Sequence, residues 1–168
     1  MIIRHRTIQD WWGTDQSADN SAICAANGAC AYGVAASNTF GTAQEFDAMC
    51  RDIKFARSEG ADGVVFGILN TDGHVDIERT RQLVELARPL SVTFHRAFDM
   101  SADLFHSLED VCATGAERVL TSGGEQECLN GIDTVARLVK ASRGRIKMMA
   151  GGRIGINNAH DHRAHRRH

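Results

Sequence analysis

The chain of 168 residues lacks several features that would place it in a specialised class of protein. Its net charge of -2 provides no basic surface for nucleic acid. No apolar run approaches the roughly 18 residues that a membrane-spanning helix needs. The first residues, Met1 to Arg6, lack the apolar segment of a secretory signal. We therefore expect a cytoplasmic protein whose partners are neither nucleic acid nor a membrane.

The five cysteines lack a recognisable pattern. They are odd in number and include no CxxC pair, so they support neither a disulfide framework nor a zinc ribbon. Free cysteine on an apolar helix face commonly behaves as a small buried hydrophobe, and we interpret Cys50 and Cys112 in this way. Because 43% of the residues are hydrophobic and 24% are charged, the chain can form an ordinary hydrophobic core.

The composition changes at two points and divides the chain into three segments. Residues 1–43 contain no leucine, lysine or glutamate, and we interpret them as an atypical segment of non-native or frame-shifted origin. Residues 44–155 carry clean amphipathic patterns and form the predicted folded portion. Residues 156–168 are rich in histidine and arginine, and we expect a disordered tail there.

Helix and strand patterns alternate through the middle segment. Apolar residues at helical spacing predict helices over 44–59, 76–88, 101–114 and 129–142, with Ser101 as the N-terminal cap of the third. Continuous apolar runs predict strands over 64–69, 90–95, 118–121 and 146–150. These strands start about 26 to 28 residues apart, which is the length of a strand, a crossover helix and the next strand.

This alternation predicts an α/β fold with a parallel sheet. No βα turn carries the GxGxxG run of a dinucleotide-binding unit, and every strand ends in a polar or glycine loop. Loops of this kind on successive strands favour a barrel, where they converge on one mouth. A complete (β/α)8 barrel needs about 200 residues or more. We therefore expect a partial TIM-type barrel of about four consecutive βα units.

The strand that ends at His95 carries the most informative polar residues. His95 and Arg96 follow an apolar run, and Asp99 comes three residues later. Polar groups at the end of a buried strand are costly unless they are paired or used. One interpretation is a structural ion pair between Arg96 and Asp99 that closes the turn. The other is a ligand site at the mouth of the barrel, in which Arg96 would bind a carboxylate or phosphate.

Two further loops have the composition of anion sites. Thr121, Ser122 and the glycine amides after them precede a helix, where unpaired amides attract anions. Gly151 and Gly152 follow the next strand, a usual place for phosphate in barrels. Glycine is also simply what tight turns require. The candidate residues for binding a small anionic ligand are His95, Arg96, Asp99, Thr121, Ser122, Gly123, Gly151 and Gly152.

Five segments, in order, resemble the CutC copper-homeostasis family. They are the motifs GADGVVFGIL at 60–69, DGHVD at 72–76, PLSVTFHRAFDM at 89–100, ERVLTSG at 117–123 and MAGG at 149–152. The resemblance covers about residues 46–155. It implies a TIM-type barrel, a cytoplasmic location, frequent self-association and a role in copper homeostasis or copper ion binding.

The sequence also departs from the family pattern. A glutamate–cysteine strand end and an Ile-Arg-Pro-Arg-Gly-Gly-Asp loop are absent from residues 1–45, and the family's last strand, with a histidine–serine end, is absent after residue 155. We therefore expect a truncated member of the family. Such a half-barrel would leave two strand edges unpaired, which favours a homo-oligomer.

Two functional hypotheses follow from these residues. The first is copper homeostasis, with copper as a ligand by family resemblance and with weak candidate ligands at His95, Met100, His160 and His162. The alternative is a barrel lyase or isomerase that binds a small phosphorylated or carboxylated metabolite through His95, Arg96 and Asp99. No catalytic residue is assigned, and we expect no demonstrable catalytic activity.

Overall fold

The computed structural model describes residues 22–24, 30–33 and 42–153. In these ranges the chain alternates strands with helices. The elements in order are β1 (Ala22–Cys24), β2 (Cys30–Gly33), α1 (Ala43–Ser58), β3 (Gly63–Phe66), α2 (Ile77–Ala87), β4 (Ser91–Phe94), a 3₁₀ helix (Arg96–Met100), α3 (Leu104–Thr114), β5 (Arg118–Thr121), α4 (Ile132–Ser142) and β6 (Lys147–Ala150).

The six described strands form one sheet in sequence order, β1 to β6. β2 to β6 are parallel neighbours, and each helix from α1 to α4 connects one of these strands to the next. A doubly wound sheet would reverse its strand order at a switch point, whereas a barrel keeps sequence order. The predicted partial TIM-type barrel with parallel strands is therefore confirmed.

β1 and β2 were not predicted, because the small residues between 22 and 33 show neither a strand nor a helix period. β2 adds a parallel strand before the four predicted ones, with Tyr32 opposite Val64. β1 pairs with β2 in the antiparallel direction, with Cys24 opposite Cys30. This hairpin departs from the all-parallel pattern of a barrel. The rest of the predicted atypical segment lies outside the described residues.

The hydrophobic core lies between the parallel strands and the helices. Alternate strand residues face the helices, so that Val64, Phe66, Val92, Phe94 and Val119 are 0–3% exposed. Helix residues that pack against them include Met49, Ile53, Leu83, Leu108, Val111 and Leu138. The helix faces predicted from the 3.6-residue period are therefore the buried ones.

Helix ends show where the predictions were accurate and where they were wrong. α3 ends at Gly115, which has a φ of +85° as a C-terminal glycine should. Its N-terminal cap, however, is Asp103, whose carboxylate accepts the amides of Phe105 and His106 at 2.8 and 2.9 Å. The predicted cap, Ser101, instead ends the 3₁₀ helix and donates its hydroxyl to the Phe98 carbonyl.

Cys50, Cys112 and Cys128 are free thiols. Cys50 and Cys112 are half-buried and pack against the core, and Cys128 is buried. Burial raises the pKa of each thiol above its usual value. The predicted role of Cys50 and Cys112 as small hydrophobes agrees with these surroundings. None of the helices among the described residues combines the length and the apolar character needed to cross a membrane.

Candidate functional site

The residues predicted to form a site lie where β4, β5 and β6 end. The chain leaves β4 at Phe94 and turns at once into the 3₁₀ helix, which carries Arg96 and Asp99. This short helix packs against β5. Since neighbouring parallel strands end at the same edge of the sheet, the loops after β5 and β6 reach the same place.

Arg96 is held by contacts within the protein. Its side chain is 10% exposed, and Nε donates to Oδ2 of Asp99 at 2.8 Å. The same guanidinium donates to the hydroxyl of Ser122 at 2.5 Å and to the carbonyl of Glu125 at 2.7 Å. The ion pair between Arg96 and Asp99, one of the two sequence interpretations, is therefore present. An external carboxylate or phosphate would have to compete with these partners for Arg96.

Asp99 connects the 3₁₀ helix to the loop after β5. Its side chain is 5% exposed. Oδ1 accepts the hydroxyl of Thr121 at 2.5 Å and the amide of Gly124 at 3.0 Å, and Oδ2 accepts the amide of Ser122 at 2.9 Å. Together with Arg96, these donors surround the carboxylate with charge-assisted hydrogen bonds.

The amides predicted to bind an anion already have one. The carboxylate of Asp99 occupies the position that an external anion would need at Ser122 and Gly124. The amide of Gly123 donates instead to the hydroxyl of Thr121, at 2.9 Å. The glycine-rich loop therefore provides anion-binding geometry, as its sequence indicated, but the anion is a side chain of the same protein.

Two glycines allow the backbone to close around this network. A Cβ at Gly123, where φ is +77°, would lie 2.4 Å from the carbonyl oxygen of Gly131 at the start of α4. A Cβ at Gly152, where φ is +129°, would lie 3.1 Å from Cβ of Ser122 and 3.2 Å from the Arg96 guanidinium. Gly151 is bound to β5 through its amide, which donates to the Thr121 carbonyl at 2.9 Å. The predicted residues are thus brought together at one edge.

His95 lies beside the network but has separate contacts. Its Nδ1 accepts the amide of Ala97 at 3.2 Å, so the imidazole caps the 3₁₀ helix. Gly67 directly follows β3 and makes room for the imidazole ring. A Cβ on this residue would lie 2.7 Å from Nδ1 of His95. Burial lowers the pKa of His95 to about 4. At neutral pH the ring is therefore uncharged, with its proton on Nε2.

Two of the four candidate metal ligands, His95 and Met100, lie among the described residues. Met100 is 63% exposed at the end of the 3₁₀ helix. Copper could bind Nε2 of His95 only if the ring proton moved to Nδ1, which would break the hydrogen bond from Ala97. His160 and His162 lie outside the described residues. The assignment of these four residues as copper ligands stays a prediction.

Sequence analysis did not anticipate two parts of the network. The carbonyl of Glu125 accepts from Arg96, and Gly131 contacts Gly123 across the loop. A carbonyl acceptor leaves no mark in the sequence, because every residue has one. The one sequence signal for the contact with Gly123 is the glycine at position 131, just before the α4 pattern. The predicted helix begins at residue 129 and includes this glycine, whereas α4 begins at Ile132.

Comparisons with known proteins give one consistent result. The model of the CutC family matches residues 35–165, which extends beyond the motif-bearing interval at both ends. A CutC family protein from Chromobacterium violaceum is 47% identical over 117 residues, which are 70% of this chain and 47% of that protein. The human protein named copper homeostasis protein cutC homolog is 47% identical over 115 residues, 68% of this chain and 42% of its own length.

A solved structure agrees with the fold. The chain resembles a CutC structure from Streptococcus agalactiae with a TM-score of 0.73 and 28% sequence identity, over 79% of this chain and 66% of that one. The chain spans about half the length of the curated relatives it matches. The similarity therefore covers only part of each relative, and what it shows is limited to that part.

The lowered pKa of His95 predicts a pH-dependent stability. The unfolded chain takes up a proton on this residue near pH 6.5 and the folded chain only near pH 4, so stability is lost as the pH falls between these values. In urea unfolding, wild type should lose about 2 to 3 kcal/mol more than His95→Gln between pH 7 and pH 4.5. Parallel losses in the two proteins would contradict a buried neutral His95.

Proposed function

The chain belongs to the CutC family, and from this premise we propose that it takes part in copper homeostasis. The observation that carries the proposal is the identity of 47% to the human protein and 48% to the mouse protein that bear this name. We assign the role to residues 44–155, which hold the family motifs, and a cytoplasmic location is part of the same proposal. Copper is here the cargo rather than a resident cofactor.

Donor chemistry limits which residues serve copper. Cu(I) prefers thiolate and thioether ligands. Burial raises the pKa of Cys50, Cys112 and Cys128, which disfavours the thiolate form that binds a metal ion. Met100 offers a thioether that is 63% exposed, next to the strand-end network. Met100 is the most exposed methionine of residues 42–153, and we assign it as the candidate contact for Cu(I).

No specific observation favours the alternative function, a lyase or isomerase. Its proposed anion ligand, Arg96, is bound to Asp99, Ser122 and Glu125, and the amides of the β5 loop hold Asp99. The basic nitrogen of the neutral His95 ring, Nδ1, already accepts the amide of Ala97, so it is not free to take a proton from a substrate. We therefore advance copper homeostasis alone.

The copper proposal predicts saturable Cu(I) binding that does not depend on the tail. The protein for this experiment is the full chain with His160, His162, His165 and His168 changed to Gln, called here the tail-silent chain. Titration against a chromophoric Cu(I) chelator should give a defined stoichiometry in this protein. Met100→Leu should weaken the binding, because it removes a soft ligand and keeps the side-chain volume.

The matched control is Met49→Leu, which removes a thioether from a fully buried core position. Its affinity for Cu(I) should equal that of the tail-silent chain. Absence of saturable Cu(I) binding in the tail-silent chain would overturn the copper-binding role of the barrel segment. Equal Cu(I) affinities for Met100→Leu and Met49→Leu would show that Met100 is not a Cu(I) ligand.

Self-association is part of the proposal. Among the described strands, β6 pairs on one side only, with β5, and Met148, Met149 and Ala150 are partly exposed along it. An open edge with apolar residues favours pairing with another chain, although Lys147 opposes it with a charge. We expect light scattering to give the mass of a dimer or larger assembly. A monodisperse monomer at micromolar concentration would contradict this expectation.

A further inference from the structure

Two histidines and one aspartate meet where the loop after β3 packs against α3. His74, His106 and Asp110 each offer a ligand atom, and these atoms lie within 4.8 Å of one another. Nε2 of His106 is 3.6 Å from Oδ2 of Asp110, and the two imidazole rings are 5.2 Å apart between centroids, nearly perpendicular. Two ligand atoms bound at about 2.1 Å to one tetrahedral ion are about 3.4 Å apart, so the separation of His106 and Asp110 already fits, and the atom of His74 would move closer on binding.

The loop between β3 and α2 fixes the backbone of His74. The amide of His74 donates to the carboxylate of Asp72 at 3.0 Å, and its carbonyl accepts the amide of Asn70 at 2.7 Å. Gly73 has a φ of +84°, and its carbonyl accepts the amide of Ala102 at 3.0 Å. This last contact holds the loop against the segment that leads into α3. His74 is therefore positioned beside the first turn of α3 before any ligand arrives.

α3 supplies the other two groups from one face. His106 and Asp110 are four residues apart, so their side chains are neighbours on the helix surface. Asp103 caps α3 by accepting the amides of His106 and Phe105. Its negative charge lies at the same end of the helix and favours a cation there.

An unsatisfied atom distinguishes this cluster from an ordinary surface contact. Nδ1 of His74 is buried and has no hydrogen-bond partner. Buried polar atoms in native proteins are almost always partnered, so an orphaned imidazole nitrogen needs an explanation. A metal ion bound by the ring would explain it. A histidine ligand binds its metal through one ring nitrogen and usually has a partner, often a water, at the other, so Nδ1 would have a partner in either arrangement.

We propose that His74, His106 and Asp110 form a binding site for a divalent transition-metal ion such as Zn²⁺, Ni²⁺ or Cu²⁺. Two imidazoles and a carboxylate are borderline nitrogen and oxygen donors that suit these ions. The site contains no thiolate or thioether, so it does not suit Cu(I). Three protein ligands leave a coordination position for water, and the 62% exposure of the His106 side chain leaves the ion open to exchange.

The three ligands proposed here do not include the residue assigned to Cu(I). Met100, the candidate contact for Cu(I), lies on the 3₁₀ helix, whereas the three ligands lie on the β3–α2 loop and α3. The divalent site can therefore exist whether or not the barrel segment binds Cu(I). A Cu(I) titration tests the first function, and a Zn²⁺ titration tests this one.

The test is calorimetric titration of the tail-silent chain with Zn²⁺. One ion should bind per chain, and His106→Gln and Asp110→Asn should each lower the affinity by about tenfold or more, since each removes a ligand. The side chain of His106 is 62% exposed and that of Asp110 is 13% exposed, and circular dichroism checks that each variant folds. Bound Cu²⁺ should show hyperfine splitting from two nitrogens in the electron paramagnetic resonance spectrum, and from one nitrogen in His106→Gln.

The matched control is Glu109→Gln, which removes the same charge as Asp110→Asn one residue away on α3. Glu109 binds Arg145 and is not part of the cluster, so its Zn²⁺ affinity should equal that of the tail-silent chain. Absence of Zn²⁺ binding in the tail-silent chain would overturn the proposal. Equal affinities for Asp110→Asn and Glu109→Gln would also overturn it, since they would reduce the aspartate's effect to charge alone.

Discussion

The carboxylate of Asp99 is the point at which two successive βα units are joined. It accepts hydrogen bonds from Arg96 on its own 3₁₀ helix and from Thr121, Ser122 and Gly124 after β5. These donors compensate a charge whose side chain is 5% exposed. Removing one partner of a buried ion pair typically costs about 3 to 5 kcal/mol, because the other charge is left uncompensated. The path of the chain after β4, and the shape of the loop after β5, depend on this contact.

The same contact determines what the strand ends can bind. Loops after parallel strands usually present free amides and basic side chains to a ligand. In this protein the amides and Arg96 are directed at Asp99, and the backbone closes tightly around them because Gly123 and Gly152 have no side chains. The residues that predicted a ligand site at the mouth of the barrel segment therefore bind one another and hold its loops together. The function that we propose, in copper homeostasis, then rests on the similarity to CutC proteins and on exposed soft donors such as Met100.

The helices and the four strands with clear periodicity could be predicted because burial on one face leaves a pattern in the sequence. Met49, Ile53 and Ala56 on α1 are an example, since all three are fully buried. The pairing of Arg96 with Asp99 could be proposed but not decided, because a spacing of three residues fits both a closed turn and an open site. The hairpin of β1 and β2 could not be predicted, because it depends on pairing with β3 rather than on local preference.

Replacing the internal carboxylate with an external one tests most directly whether Asp99 occupies the anion position. The variant is Asp99→Ala, and the measurement is the melting temperature in sodium formate against sodium chloride at equal ionic strength. Formate should stabilise Asp99→Ala and leave wild type unchanged, because it can enter the position between Arg96 and the amides only when the side chain is gone. Stabilisation of wild type by formate to the same extent would contradict the account, since it would show that the strand-end donors are open to an external anion.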